Sequence, residues 1–254
     1  MAKLVGILNV TLNSFSDGGK YAVPQDAVNR LCTLFEEGAD IVDIGAASTT
    51  YGAELVTHQD EWKILEPILK CLDKKPISVD TYNYQTAEKA IAYGAEIIND
   101  VSFGLNDNML KLVAESKVKY ILMYSLVVPA DKNVRVNNIN EIEYGFEKKV
   151  EACLKYGIAL DQLIIDPGIG FGTNPKQSFE VLKNLERFRK FGTEILIGHS
   201  RKSFLELVSD YPPQERDLET LTASLYLRTQ ADYLRIHNVN WHRRAFKVAE
   251  ALNF

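Results

Sequence analysis

The chain has 254 residues, 46% of them hydrophobic and 25% charged, with a formal net charge of -5. This is the composition of an ordinary globular domain, and its acidic balance argues against a nucleic-acid binder, which is normally basic. No apolar run reaches the roughly 20 residues that cross a bilayer, so no membrane association is expected.

In chain order, the first expected strand covers residues 4–8, ends at Asn9 and runs into a polar stretch closing on Gly18 and Gly19. No small-residue cleavage site follows it, so it is read as a strand and not as a secretory signal. Short β-branched apolar runs recur at 41–44, 77–79, 97–98, 120–123, 163–165, 195–197 and 233–236. Between them lie amphipathic stretches such as PQDAVNRLCTLFEEGA and INEIEYGFEKKVEACLKYG. Several close on a glycine (Gly38, Gly94, Gly157), the residue that most easily adopts a left-handed helix end. Strands apolar on both faces, alternating with helices, imply a parallel sheet covered by helices. Eight such units are the number that closes a barrel. The expected class is therefore α/β, a (β/α)8 TIM barrel forming one domain over residues 1–254. A doubly wound open sheet would differ by a switch in strand order, which a sequence does not display. Cys32, Cys71 and Cys153 stand far apart with no CxxC pair, which predicts reduced thiols in a cytoplasmic protein.

Barrel enzymes build their sites at the C-terminal ends of the strands. Here those ends carry Asn9, Asp80, Asn99 with Asp100, Met123 with Tyr124, Asp166, the run GHSRKS, and Arg235 with His237. Each has a bland reading. Asp166-Pro167-Gly168 is a turn signature and Asp80-Thr81 a helix cap, while the glycines of IGFG lack the dinucleotide-binding spacing. Arg201 and Lys202 at a helix start would oppose the helix dipole, which favours a ligand there. Polar residues at the ends of successive strands point to one shared pocket. Asp80, Asn99, Asp166 and Lys202 suit an uncharged heterocycle rich in donors and acceptors, because a carboxylate accepts two parallel hydrogen bonds from an amidine-like edge. Asn9, Arg235 and His237, with the nearby Ser48-Thr49-Thr50, suit a phosphate or diphosphate; an Asn oxygen can also ligate Mg²⁺.

The motifs GILNVTxxSFSDGG, SVDT, GAEIIND, DPGIGFG, GHSRKS and RIHNV occur in that order between residues 6 and 239. Together they resemble the dihydropteroate synthase family. The resemblance implies a barrel, often a homodimer. The implied reaction condenses 6-hydroxymethyl-7,8-dihydropterin diphosphate with p-aminobenzoate, with Mg²⁺, in folate synthesis. It implies a pterin site of Asp80, Asn99, Met123, Asp166, Gly198 and Lys202, and diphosphate contacts from Asn9, Thr49, Arg235 and His237. Asn9 falls on the metal-ligand position, while Thr49, Phe171 and Ser203 fall near the aminobenzoate. Asp80, Lys202, Arg235 and His237 are the implied catalytic set.

The chain departs from the family pattern in three places. Where the family reads Thr-Pro-Asp-Ser-Phe, it has Leu12-Asn13 in place of Pro-Asp; where the family reads Glu-Ser-Thr-Arg-Pro-Gly, it has Ala47 and Thr50-Tyr51. Thr173 replaces the usual lysine after the FG of the sixth strand. Three activities are compatible with the pterin floor: the synthase, a paralogue that binds pterin with another acceptor or little turnover, and a pterin-dependent methyltransferase. The motifs NVTxxSFSDGG and SRKS favour the first.

Overall fold

The computed structural model describes residues 1–10, 25–47, 55–72, 74–131 and 133–254. Its described strands are β1 (Lys3–Asn9), β2 (Ile41–Gly45), β3 (Ile77–Asp80), β4 (Ile97–Asp100), β5 (Lys119–Met123), β6 (Leu163–Asp166), β7 (Glu194–Ile197) and β8 (Tyr233–Ile236). All pair in parallel and in sequence order, and β1 closes on β8. The helices α1 (Gln25–Glu36), α2 (His58–Leu69), α3 (Tyr84–Ala92), α4 (Asp107–Ser116), α5 (Ile139–Lys155), α6 (Pro175–Lys183), α7 (Asp217–Leu227) and α8 (Val239–Ala251) alternate with the strands. This is the (β/α)8 barrel.

Local chemistry sets the helix ends. Asn106, Asn138, Asn174 and Asn238 cap α4, α5, α6 and α8, each side chain accepting from a backbone N–H of the first turn. Gly38, Gly94 and Gly157 take φ of +98°, +95° and +89° beyond α1, α3 and α5. Each helix presents an apolar stripe to the outer face of the strands, where Leu4, Ile44, Val79, Leu122, Ile165 and Leu234 are buried in one continuous cluster.

The interior is a separate small core. Val5, Ile41, Ile97, Ile121, Ile164, Leu196 and Tyr233 form a layer inside the barrel that fills it as packed side chains. Residues two apart on a strand share a face, so this layer dictates which side chains stand above it and below it.

Candidate active site

Two residues beyond each member of the interior layer, towards the strands' C-terminal ends, stand Ile7, Asp43, Asn99, Met123, Asp166, Gly198 and Arg235. The register brings Asp80 of β3 beside Gly45 and Asn99. All of these except Asp43 and Gly45 line a cavity of about 420 Å³, together with Asn9, Phe171, Lys202 and His237. Of the twelve candidate residues named above, Thr49 lies outside the described residues, as do Leu12-Asn13 and Thr50-Tyr51. Ser203 is exposed and does not line the cavity; Ser200 does.

Arg235 is held by two carboxylates. Its Nε donates to Asp43 Oδ2 at 2.5 Å and its Nη2 to Asp80 Oδ2 at 3.0 Å. Asp43 Oδ2 also accepts from Asn99 Nδ2 at 3.0 Å. That bond turns the Asn99 carbonyl oxygen away from Asp43, and among the described residues this oxygen has no partner. Burial first, then the neighbouring charge of Asp43, pushes the Asp80 carboxyl above its ordinary range, against the pull of Arg235.

The loop after β6 forms a second wall. Asp166 Oδ1 accepts from the Gly168 N–H at 2.8 Å, leaving Oδ2 towards Gly198. Gly168 has φ +69°, and a Cβ there would stand 2.0 Å from the Tyr124 carbonyl oxygen, so only glycine fits this turn. Lys202 Nζ donates to the Ile169 carbonyl at 2.6 Å and sits 4.7 Å from the Phe171 ring centroid. Burial lowers Lys202 to about 8, although Asp166 pulls the other way; burial likewise raises Asp166, against Lys202. Gly198 lies between them: a methyl there would be 3.4 Å from Asp166 Oδ2 and 3.8 Å from Lys202 Nζ. Thr173, where the family carries lysine, is buried. Its hydroxyl accepts from Gly170 N at 2.9 Å and meets Ser178 Oγ at 2.9 Å, which holds the loop shut.

At the β8 side, His237 Nδ1 meets Ser200 Oγ at 2.8 Å. Burial, then the charges of Arg201 and Arg235, bring His237 down to about 4, so the imidazole is neutral at pH 7. Arg201 departs from expectation. Its guanidinium is bound by Asp217 at 2.6 Å and 2.9 Å, and the following helix is a short 3-10 turn, 203–207, with no long dipole to oppose. Asp217 balances that charge within the protein, and Arg201 also lines the cavity.

Four strand-end residues face outward and leave the site. Asp100 accepts from Ser102 N, Gly104 N and the Tyr120 hydroxyl; Thr81 donates to the buried Glu61. Tyr124 packs against Phe103 and Phe146, and His199 meets Ser224 beneath α7. Each is one residue away from an inward position, and the alternation of a strand reverses its side. Asp43 is the residue the sequence reading passed over. Its signal was a carboxylate in the middle of an apolar strand, IVDIG, on the same face as Gly45.

Among the described residues no group of three or more His, Cys, Asp or Glu side chains could hold a metal ion. Asn9, exposed at the end of β1, supplies one amide oxygen at the cavity wall. A hard cation that keeps most of its ligands as water and phosphate oxygens needs no more from the protein than this.

A family model described as "Pterin binding enzyme" matches residues 5–237. A dihydropteroate synthase of Clostridium beijerinckii is 35% identical over 98% of this chain and 93% of its own length. The structure of a Xanthomonas albilineans dihydropteroate synthase with 4-aminobenzoic acid superposes with a TM-score of 0.91, at 32% identity, covering 99% of this chain and 93% of that one. That of an Anaplasma phagocytophilum dihydropteroate synthase with bound 6-hydroxymethylpterin-monophosphate superposes with a TM-score of 0.88, at 32% identity over 99% of both chains.

Proposed function

The chain belongs to the pterin-binding enzyme family, among its dihydropteroate synthases, and from that premise we propose how its residues share the reaction. It is a transferase of folate synthesis that joins 6-hydroxymethyl-7,8-dihydropterin diphosphate to p-aminobenzoate, releasing diphosphate and forming 7,8-dihydropteroate. The observation that carries the residue assignment is the convergence of Asp80, Asn99, Asp166 and Lys202 on one cavity beneath an anchored arginine.

The pterin takes the floor. Asp166 Oδ2 accepts from the amidine-like edge, the unpartnered Asn99 oxygen accepts from a second ring N–H, and Asp80 accepts from a third. Lys202 donates to the ring acceptors, while Met123 and Gly198 give the flat apolar surface. Arg235, His237, Asn9 and Thr49 receive the diphosphate. Aminobenzoate lies beside Phe171, and Thr49 is assigned to it from the family resemblance alone; Ser203 does not line the cavity.

In the reaction the methylene C–O bond breaks and diphosphate leaves with the electron pair. The pterin ring shares the positive charge left on carbon. The arylamine nitrogen then forms the new C–N bond and gives its proton to water. Arg235 faces the negative charge that grows on the leaving group, an interaction strongest in the transition state. Neutral His237 donates a hydrogen bond there without adding a second full charge beside Arg235. The walls orient the acceptor and limit water, so no strong general base is required. Mg²⁺ suits this site with Asn9 as its protein ligand, and when bound it neutralises diphosphate charge.

A homodimer is the assembly we propose. An apolar groove of about 720 Å³ between α6 and α7, lined by Phe179, Leu182, Leu205, Val208, Leu218 and Tyr226, supports it. A cytoplasmic location is proposed from the three free cysteines. No helix among the described residues is long and apolar enough to cross a membrane.

Purified protein given the pterin diphosphate, Mg²⁺ and p-aminobenzoate should release diphosphate and form a product of dihydropteroate mass. Release no faster than from a Lys202→Ala variant would remove the synthase reading.

A further inference from the structure

Asp43 is fully buried in the middle of β2, in the same tier as Asn99 and Arg235 but outside the cavity lining. It nevertheless makes two contacts that orient residues of that lining. One is the 2.5 Å bond from Arg235 Nε, the other the 3.0 Å bond from Asn99 Nδ2, both to Oδ2. Its Oδ1 has no partner among the described residues. Such a carboxylate lacks half its hydrogen bonds and has a poor reason to exist as a stability device, since a buried charge is costly unless fully paired.

We propose that Asp43 is a positioning residue that acts through Arg235 and Asn99, fixing the arginine at its Nε and forcing the amide of Asn99 to offer its oxygen, not its N–H, to the pterin. The inference rests on the synthase reading of the cavity.

Arg235 is held at two points: Nε bonds to Asp43, outside the cavity lining, and Nη2 to Asp80 Oδ2, at the cavity wall. A pterin N–H can use the remaining capacity of Asp80 while both anchors stay in place, and Nη1, which makes no hydrogen bond to the described residues, is open to the diphosphate. Asp43 fixes that orientation of the guanidinium. For Asn99 the logic is complementarity: the Asp43 Oδ2 that accepts from Arg235 Nε also accepts from the amide, so Asn99 turns its NH₂ to Asp43.

The test is a pair of double-mutant cycles. Asp43→Asn keeps the shape and removes the charge. Its kcat for diphosphate release should fall about 10- to 100-fold, part of the 10²–10³ expected for a leaving-group donor. In an Arg235→Met background the same change should alter kcat less than about threefold. In calorimetry with 6-hydroxymethylpterin, which carries no diphosphate, Asp43→Asn should weaken binding about fivefold or more, and should have no further effect beside Asn99→Ala. Losses that multiply in both cycles would overturn the proposal, as would a lowered melting temperature with kcat and pterin affinity unchanged. Should Asp43→Asn not fold, Asp43→Ser is carried through the same cycles. Wild-type turnover reports on the synthase reading alone, and the pterin cycle reports on Asp43 without any turnover.

Discussion

At the N-terminal mouth of the barrel Lys119, Glu194 and the Tyr233 hydroxyl close on one another, and the Lys119 and Glu194 side chains are 38% and 35% exposed. At the C-terminal mouth Asp43 and Asp80 hold Arg235, and Asp166 lies near Lys202, in or against the cavity wall. Both groups sit at the ends of the same interior stack and both pair carboxylates with cations. The lower set balances its charges and spends its hydrogen bonds on itself. The upper set has more carboxylates than cations, and the Asn99 oxygen and one Asp43 oxygen are unpartnered among the described residues. Unfilled bonding capacity, rather than the presence of charge, separates this set, proposed above to hold the substrates, from the lower one.

Substitutions at successive heights sharpen that contrast. The largest effect is expected between the two mouths: Leu196→Ala, in the interior layer at 1% exposure, should cost about 2–5 kcal/mol in urea unfolding. Next comes Asp80→Asn at the upper end. It should lower kcat about 10²-fold, as for a lost transition-state partner. Its melting temperature at pH 8 should not fall, because burial already disfavours the Asp80 charge. A drop of several degrees there would make Asp80 structural and weaken the contrast.

The titration of Lys202 gives a smaller and more diagnostic effect. Its proton leaves at about 8 in the folded chain and near 10.5 when unfolded, so between these values the unfolded state binds more protons. Relative to Lys202→Met, wild-type stability should rise with pH over that window, while turnover falls about tenfold per pH unit above 8. Activity and stability moving in the same direction would contradict the assignment. The smallest effect belongs to the lower mouth: Lys119→Gln should change stability by less than about 1 kcal/mol and leave kcat unchanged.

The barrel was legible because its strands and helices repeat with two distinct hydrophobic periods. The pocket was legible because polar residues stand where an apolar strand would simply turn. What escaped was side. Asn99 and Asp100 are neighbours, yet one faces the cavity and the other caps the β4 loop on the helix side. Counting in twos from Ile97 would have separated them, and counting in twos from Ile41 would have found Asp43. The pairing of Arg201 with Asp217 was not legible, since the partners stand sixteen positions apart and only the packing of α7 brings them together.

Gly198 has an ordinary backbone and could accept a methyl at normal contact distances from Asp166 and Lys202. Folding therefore imposes no veto on alanine at this position. That methyl would nonetheless stand near both Asp166 and Lys202, on the surface proposed above for the pterin ring. The barrel thus carries a position where a single small substitution separates heritable shape from heritable activity: such a variant would persist as a well-folded protein and fail as an enzyme.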